Sequence, residues 1–146
     1  MALSAQNGSE RARQLLALTV RLGERLERET LSLEAHRPQD IAVEVEETRH
    51  LSNLYRHESM RIKASPDLLD GMSDAEKTSL RNATELFQTR LKRYEHAVNA
   101  ARRVTEGIIT AVASDINAKR NRSATYGARG RTRDSGPHTL NFGGRV

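Results

Sequence analysis

The hydrophobic residues of the chain fall into three long stretches with helical spacing. In the first stretch, residues 9–36, apolar positions recur at alternating steps of four and three, with one interruption at Glu29. These positions are Leu15, Thr19, Leu22, Leu26 and Leu33. The spacing predicts an amphipathic helix with one apolar face. Pro38 follows closely and suits the first turn of a helix but not its interior, so a second, antiparallel helix is expected from there.

The second stretch, residues 38–64, has a narrower and more polar face. Its positions Ile41, Thr48, Tyr55 and Ile62 recur every seven residues. The sequence SPDLLDGM, residues 65–72, then interrupts the pattern. We expect a short helical turn over residues 66–70, opened by Pro66 and closed by Gly71 in the left-handed conformation.

The third stretch has the most regular pattern. Ser73 and Glu76 form a capping-box signature, which predicts a helix over residues 74–119. The apolar positions of this helix, which we call its seam, alternate steps of four and three throughout. They are Leu80, Thr84, Phe87, Leu91, Tyr94, Val98, Ala101, Thr105, Ile108 and Val112. This helix would be about 70 Å long, whereas each of the first two would be about 40 Å. The first two helices are therefore expected to leave Ile108, Ile109, Val112 and Ile116 uncovered.

The predicted fold is all-α, with an antiparallel helical hairpin packed on a long C-terminal helix. Residues 9–116 would form this coiled-coil-like three-helix bundle. Residues 1–8 are expected to be a disordered N-terminus. Residues 117–146 are expected to be a basic, Gly/Arg-rich flexible tail, because the apolar seam ends at Ile116 and polar residues follow.

The charge of the chain is concentrated in that tail. The whole chain has a net charge of +5; residues 117–146 hold seven Lys or Arg and one Asp, a net +6, so the remainder carries −1. Any attraction to phosphates or to acidic surfaces must therefore act through the tail. The segment ARGRTR between Tyr126 and Phe142 also leaves open an alternative, a helical protein that binds nucleic acid through its tail.

Candidate chemistry is sparse. The chain has no cysteine, which excludes disulfides, thiol nucleophiles and Cys-ligated metals. Glu47 and His50 have the Glu-x-x-His spacing of di-iron bundles, but such sites need two of these motifs, and the sequence has one. We therefore expect no enzyme activity, no metal and no cofactor. The absence of a signal peptide and of a long apolar run favours a cytoplasmic location without membrane association.

The order of these features resembles the FlgN-type flagellar type III export chaperones, and in particular their alphaproteobacterial FlbY-like members. The similarity extends over about residues 12–130. It depends on the helical hairpin, the DLLDGMS break, the long helix ending in ARRVTEGIITAVASDI, and the spacer before Tyr126 and Gly127. After Tyr-Gly, members of that family commonly have proline or acidic residues, whereas this chain continues with Ala128, Arg129 and Gly130.

The resemblance implies a cytosolic chaperone that holds hook–filament junction proteins unassembled before type III secretion. In that family the client binds the later part of the long C-terminal helix and the segment after it. The matching positions in this chain are Val104, Ile108, Ile109, Val112, Ile116, Tyr126 and Gly127. Components of the export apparatus are further candidate partners, and nucleic acid is not an expected one.

A second copy of the chain is an alternative occupant of the uncovered positions, because exposed apolar stripes usually find a partner. The protein would then be a structural homodimeric coiled coil. The residues alone do not distinguish a second copy from a different protein.

Overall fold

A computed structural model describes residues 3–129 of the chain. It contains three helices, α1 (Gly8–Glu34), α2 (Val45–Ala64) and α3 (Asp74–Arg129). Short 3-10 helices at Pro38–Ile41 and Pro66–Leu69 lie between them. The described residues contain no strand, so the predicted all-α fold is confirmed. Residues 1–2 and 130–146, which include most of the predicted tail, lie outside the described part.

The chain divides into two units, Met1–Val104 and Thr105–Val146. The first unit holds α1, α2 and residues 74–104 of α3 in a helical bundle. In the second unit, the described residues 105–129 are the remaining helical turns of α3.

Both ends of α1 are fixed by local hydrogen bonds. At its start, the Asn7 side chain accepts a hydrogen bond from the Glu10 N–H at 2.8 Å. At its end, His36 has a φ of 56°, and the N–H groups of His36 and Arg37 donate back to the carbonyl oxygens of Leu33 and Ser32. These two bonds form a Schellman motif with histidine in the position usually held by glycine. The motif stops the helix before Pro38.

Residues 3–8, the described part of the N-terminus, differ from the expectation of disorder over residues 1–8. The Leu3 N–H donates to Glu58 Oε1 at 3.0 Å, and Gln14 Nε2 donates to the Ser4 carbonyl oxygen at 2.9 Å. Gly8 already belongs to α1. This segment is therefore bonded to the bundle by polar contacts that a hydrophobic pattern does not reveal.

The second helix begins later than predicted. Pro38 opens a 3-10 helix, and α2 starts only at Val45. The intervening residues include β-branched Ile41 and Val43, which have lower helix propensity, and Val43 is 92% exposed, so packing does not compensate. No side chain caps the start of α2. Pro38 therefore opens the segment, but these local preferences delay the start of the α-helix to Val45.

The third helix ends later than predicted. It continues to Arg129 rather than residue 119, so the first part of the predicted flexible tail is helical. Residues 118–124 include Ala118, Lys119, Arg120, Arg122 and Ala124, all good helix formers, and Lys119 Nζ lies 3.1 Å from Asp115 Oδ2 one turn earlier. The apolar seam ends before the helix does, because residues with high helix propensity continue beyond it.

Two predicted turn signals are confirmed. The Ser73 N–H donates to Glu76 Oε2 at 3.0 Å while the Glu76 N–H donates to Ser73 Oγ at 3.1 Å, which is the capping box at the start of α3. Gly71 has a φ of 89°, the left-handed conformation expected for it.

Within the first unit, α1 is antiparallel to α2 and parallel to α3. Arg11 near the start of α1 pairs with Glu58 of α2, whereas Arg25 further along α1 contacts Thr48. Three ion pairs between α1 and α3 follow the same order along both helices: Arg13–Glu76, Glu27–Arg90 and Glu34–Arg93. The hairpin thus packs on the first part of α3, as predicted.

The hydrophobic core is small and is centred on α1. It joins Leu18, Leu22 and Leu26 of α1 to Leu51 of α2 and Phe87 of α3. The Phe87 ring lies 4.7 Å from that of Tyr55, centroid to centroid. Leu22 is 1% exposed, and truncating such a side chain commonly costs about 2–5 kcal/mol.

Charged residues are buried beside this core. Glu29, the interruption in the first leucine pattern, is 2% exposed and accepts a hydrogen bond from Thr48 Oγ1, which itself accepts one from Arg25 Nε at 3.1 Å. Burial, followed by the negative charge and hydrogen bonding of Glu29, raises the pKa of Tyr94. Glu29 is therefore part of the helix interface, and its burial is made possible by Thr48 and Tyr94.

A second buried charge lies at the other end of the hairpin. The Glu58 side chain is fully buried and contacts the Leu3 N–H, Arg11 and Arg61. Burial opposes its ionisation, but these donors and charges outweigh that effect and lower the pKa of Glu58. Among the described residues, every buried side-chain nitrogen and oxygen has a hydrogen-bond partner.

We expect Thr48→Val to destabilise the bundle by about 1–3 kcal/mol, because the buried Glu29 carboxylate would lose a donor without a replacement. Thr48→Ser keeps the hydroxyl and is the matched control, which should retain most of the stability. Urea unfolding followed by circular dichroism measures both. Equal losses in the two variants would mean that packing, and not the hydrogen bond, explains the cost.

We expect Glu76→Gln to remove part of the acid sensitivity of folding. The Ser9 hydroxyl, the Ser73 N–H and Arg13 lower the pKa of Glu76 from 4.5 to about 2. A lowered folded-state pKa contributes stability above pH 4.5 that is lost as the pH falls toward 2. The parent chain should therefore be more stable than Glu76→Gln at neutral pH. The difference between their free energies of unfolding should shrink as the pH falls from 4.5 toward 2. Exposed Glu85→Gln is the control, and a difference that does not change with pH would contradict this account.

Candidate protein-binding surface on the third helix

The part of α3 that enters the core ends well before the helix does. Phe87 and Ala97 are its buried residues, at 4% and 8% exposure. Leu91, Tyr94 and Ala101 are half-buried, and residues 102–127 are all exposed. The predicted lack of cover at the apolar positions after Ala101 is thus confirmed.

Five of the predicted site residues form a continuous apolar series, which we call the Ile/Val stripe. Its members are 51–63% exposed: Val104, Ile108, Ile109, Val112 and Ile116. Val104 is the last residue of the first unit, and the other four belong to the second. At about 100° per residue, Ile108, Val112, Ile116 and Ile109 fall within about 100° of one another around the helix. They therefore present one apolar face, although their role in binding stays a prediction.

Tyr126 gains a defined position from the unexpected length of α3. It follows Ile108 by eighteen residues, which is about five turns, so it lies on the same helical face about 27 Å further along. Its side chain is 82% exposed. Gly127, the last predicted site residue, is also helical, and beyond its neighbours and the local helix backbone nothing lies within 4 Å of the position its Cβ would occupy. The structure thus places Tyr126 in line with the stripe, which the expectation of a flexible tail did not.

The opposite face of this segment is polar and uncharged. Thr110, Ser114 and Asn117 fall roughly 130–170° from the centre of the stripe. All three are exposed. The contrast between the two faces gives the segment its amphipathic character.

The first unit has an apolar groove that the sequence did not indicate. Its volume is about 250 Å³, and Leu22 and Leu26 of α1 line it together with residues of both other helices. Those residues are Ser52, Tyr55, Phe87, Gln88, Leu91 and Tyr94. The seam pattern places most of them at the helix interface, but it cannot show that the space between α2 and α3 is incompletely filled.

The candidate metal motif has a different role in the structure. The Glu47 carboxylate is paired with Arg21 and with Arg25, the latter at 3.1 Å, so it is neutralised by guanidinium groups. His50 lines a shallow surface depression with His57 and Met60. Within residues 3–129, no group of three His, Asp or Glu side chains is arranged to hold a metal ion. No helix in that range is long and apolar enough to cross a membrane.

The fold and the exposed stripe define an all-α bundle protein whose last helix carries an exposed apolar face. No protein-family model matches the chain, and no solved structure does. A relative from Caulobacter vibrioides, the flagellar basal-body protein FlbY, is 41% identical over 139 residues, which cover 94% of this chain and 93% of the relative. The chain therefore belongs to the FlbY family of flagellar proteins. This confirms the flagellar resemblance drawn from the sequence.

Proposed function

We propose that the protein is a cytosolic flagellar export chaperone. It binds hook–filament junction proteins through the Ile/Val stripe and Tyr126, and keeps them unassembled before type III secretion. The family membership supports a flagellar role, since the relative is named a flagellar basal-body protein. The observation that carries the proposal is the stripe itself, an apolar face about 12 Å long on Ile108–Ile116 whose side chains are more than half exposed.

The mechanism is binding without chemistry. An amphipathic helix of the client lays its apolar face against the stripe, as in other helix-in-groove complexes. That client face is then unavailable for contacts with other axial proteins, so premature assembly is prevented. The chaperone needs no catalytic residue for this role.

The size of the stripe favours a reversible complex. Burying a Leu or Ile side chain fully contributes about 1.5–3 kcal/mol, and the stripe residues are already partly covered, so each adds roughly 1 kcal/mol. Association itself costs at least about 4 kcal/mol. The stripe alone therefore gives weak binding, and neighbouring contacts must supply the rest. A complex of modest affinity suits a chaperone that must release its client to the export machinery.

We expect the double substitution Ile108→Asp and Val112→Asp to weaken binding to purified hook–filament junction proteins of the same organism by at least about tenfold. Two charges would then lie in the apolar contact. The matched control is Thr110→Asp with Ser114→Asp, which has the same spacing of four residues but lies on the opposite face; its affinity should stay within about twofold. Isothermal titration calorimetry measures the affinities, and circular dichroism checks that both variants stay helical.

The proposal fails if the unmutated chain binds none of these junction proteins, or if both double variants lose binding equally. Sedimentation velocity on the free chain tests the alternative occupant. The stripe is a homodimer interface if the free chain is a dimer, if the Ile108→Asp and Val112→Asp variant is a monomer while the control variant stays a dimer, and if junction proteins do not bind.

A further inference from the structure

The face that carries the stripe changes from apolar to basic along the helix. From Ile108 to Ile116 its only charge is Asp115, at the edge of the stripe. Lys119, Arg120 and Arg122 follow within the next two turns. Taking Ile108 as 0°, these three side chains fall at about 20°, 120° and −40°, on the stripe itself or at its borders. A partner lying along this face therefore contacts apolar groups at its N-terminal part, from Ile108 to Ile116, and positive charges at its C-terminal part.

Two of these charges are not used within the described part of the chain. Lys119 is paired with Asp115 at 3.1 Å. Arg120 and Arg122 are exposed, and neither side chain has a hydrogen bond or an ion pair to any residue of the range 3–129. Elsewhere on α3, Arg90 and Arg93 are both paired with glutamates of α1. Arg120 and Arg122 are thus available to an external acidic group.

The stripe cannot set the direction of a partner helix without them. Ile108, Val112 and Ile116 recur every four residues, so the row presents the same spacing when it is read from either end. A helix docked on it could lie parallel or antiparallel with similar apolar contact. Before the stripe, Arg102 is engaged in an interaction and Arg103 falls at about 220°, on the opposite face of the helix. The positive charges after Ile116 therefore remove this equivalence, because charge complementarity fixes the register and orientation of partners more than it adds affinity.

We infer that the partner segment is an amphipathic helix with acidic residues beyond one end of its apolar face, and that Arg120 and Arg122 orient it by pairing with those acids. This inference rests on the proposed function and specifies the chemistry of the client. Arg122 lies six residues, or about 9 Å, beyond Ile116. The acidic residues should therefore lie about one to two turns beyond the last apolar position of the partner helix.

An anionic membrane surface also combines apolar and negative groups, but the pattern does not favour it. Helices that lie in a membrane interface carry Lys and Arg along their polar face, beside the apolar one. Here the polar face opposite the stripe is uncharged at Thr110, Ser114 and Asn117, and Lys119, Arg120 and Arg122 follow the stripe instead of lying beside it. A partner with acids at one end fits that arrangement better.

The test uses two synthetic amphipathic peptides about 20 residues long, or roughly 30 Å as helices. Both have the same apolar face; one has a run of glutamates at one end, and the other has lysines there. By fluorescence anisotropy at about 50 mM salt, the glutamate peptide should bind the full chain at least about tenfold more tightly. The double substitution Arg120→Glu and Arg122→Glu should abolish that preference. Exposed Arg81→Glu with Lys92→Glu changes the net charge equally within the first unit and should retain it.

Direction is measured with a nitroxide at the glutamate end of the peptide, which should broaden the amide signals of residues 119–126 and not those near Ile108. The inference is overturned if the two peptides bind with equal affinity, or if the Arg81 and Lys92 control loses the preference for the glutamate peptide equally. Broadening near Ile108 would also overturn it. So would tight binding to phosphatidylglycerol vesicles that displaces the glutamate peptide.

Titration with purified junction proteins separates this inference from the proposed function. If the junction proteins do not bind but the chain still prefers the glutamate peptide, the proposed client is wrong and the inferred chemistry of the surface stands. If the junction proteins bind but the chain shows no preference between the peptides, the proposed function stands and this inference fails.

Discussion

The packing of both other helices on α1 is the constraint on which the rest of the structure depends. Leu18, Leu22 and Leu26 hold the core together, and most of the buried residues of the bundle belong to α1. This helix has 27 residues, whereas α3 has 56. A helix can bury only as much of its neighbour as it contacts. The exposed apolar residues of α3 are a direct consequence of this mismatch in length.

The buried charges give the bundle its register. Arg11 and Glu58 meet near one end of the hairpin, and Arg25, Thr48 and Glu29 are joined near the other. Removing such charges from water is costly, and each is tolerated only where its partner is in place. A sliding of α2 along α1 by one turn would leave these groups unpaired. The small hydrophobic core therefore does not have to specify the alignment of the helices by itself.

The sequence predicted the elements that depend on periodicity and on local turn chemistry. The three helices, the capping box at Ser73 and the left-handed Gly71 are all present. Features that depend on a tertiary partner could not be read in the same way. Glu29 looks like an interruption until Thr48 and Tyr94 are known to lie beside it, and the groove between α2 and α3 is a matter of packing. The exposure of the stripe followed from helix lengths alone, whereas the alignment of Tyr126 with it required the helix to continue to Arg129.

In the proposed function, the end of α3, and not the bundle, is the surface that receives a flagellar client. Hydrogen–deuterium exchange of the full chain, alone and with a saturating hook–filament junction protein, tests this most directly. We expect slower exchange on binding at amides of residues 104–126, with little change in α1. Protection confined to the residues that line the groove between α2 and α3, around Tyr55 and Leu91, would contradict the claim and place the client on the bundle instead.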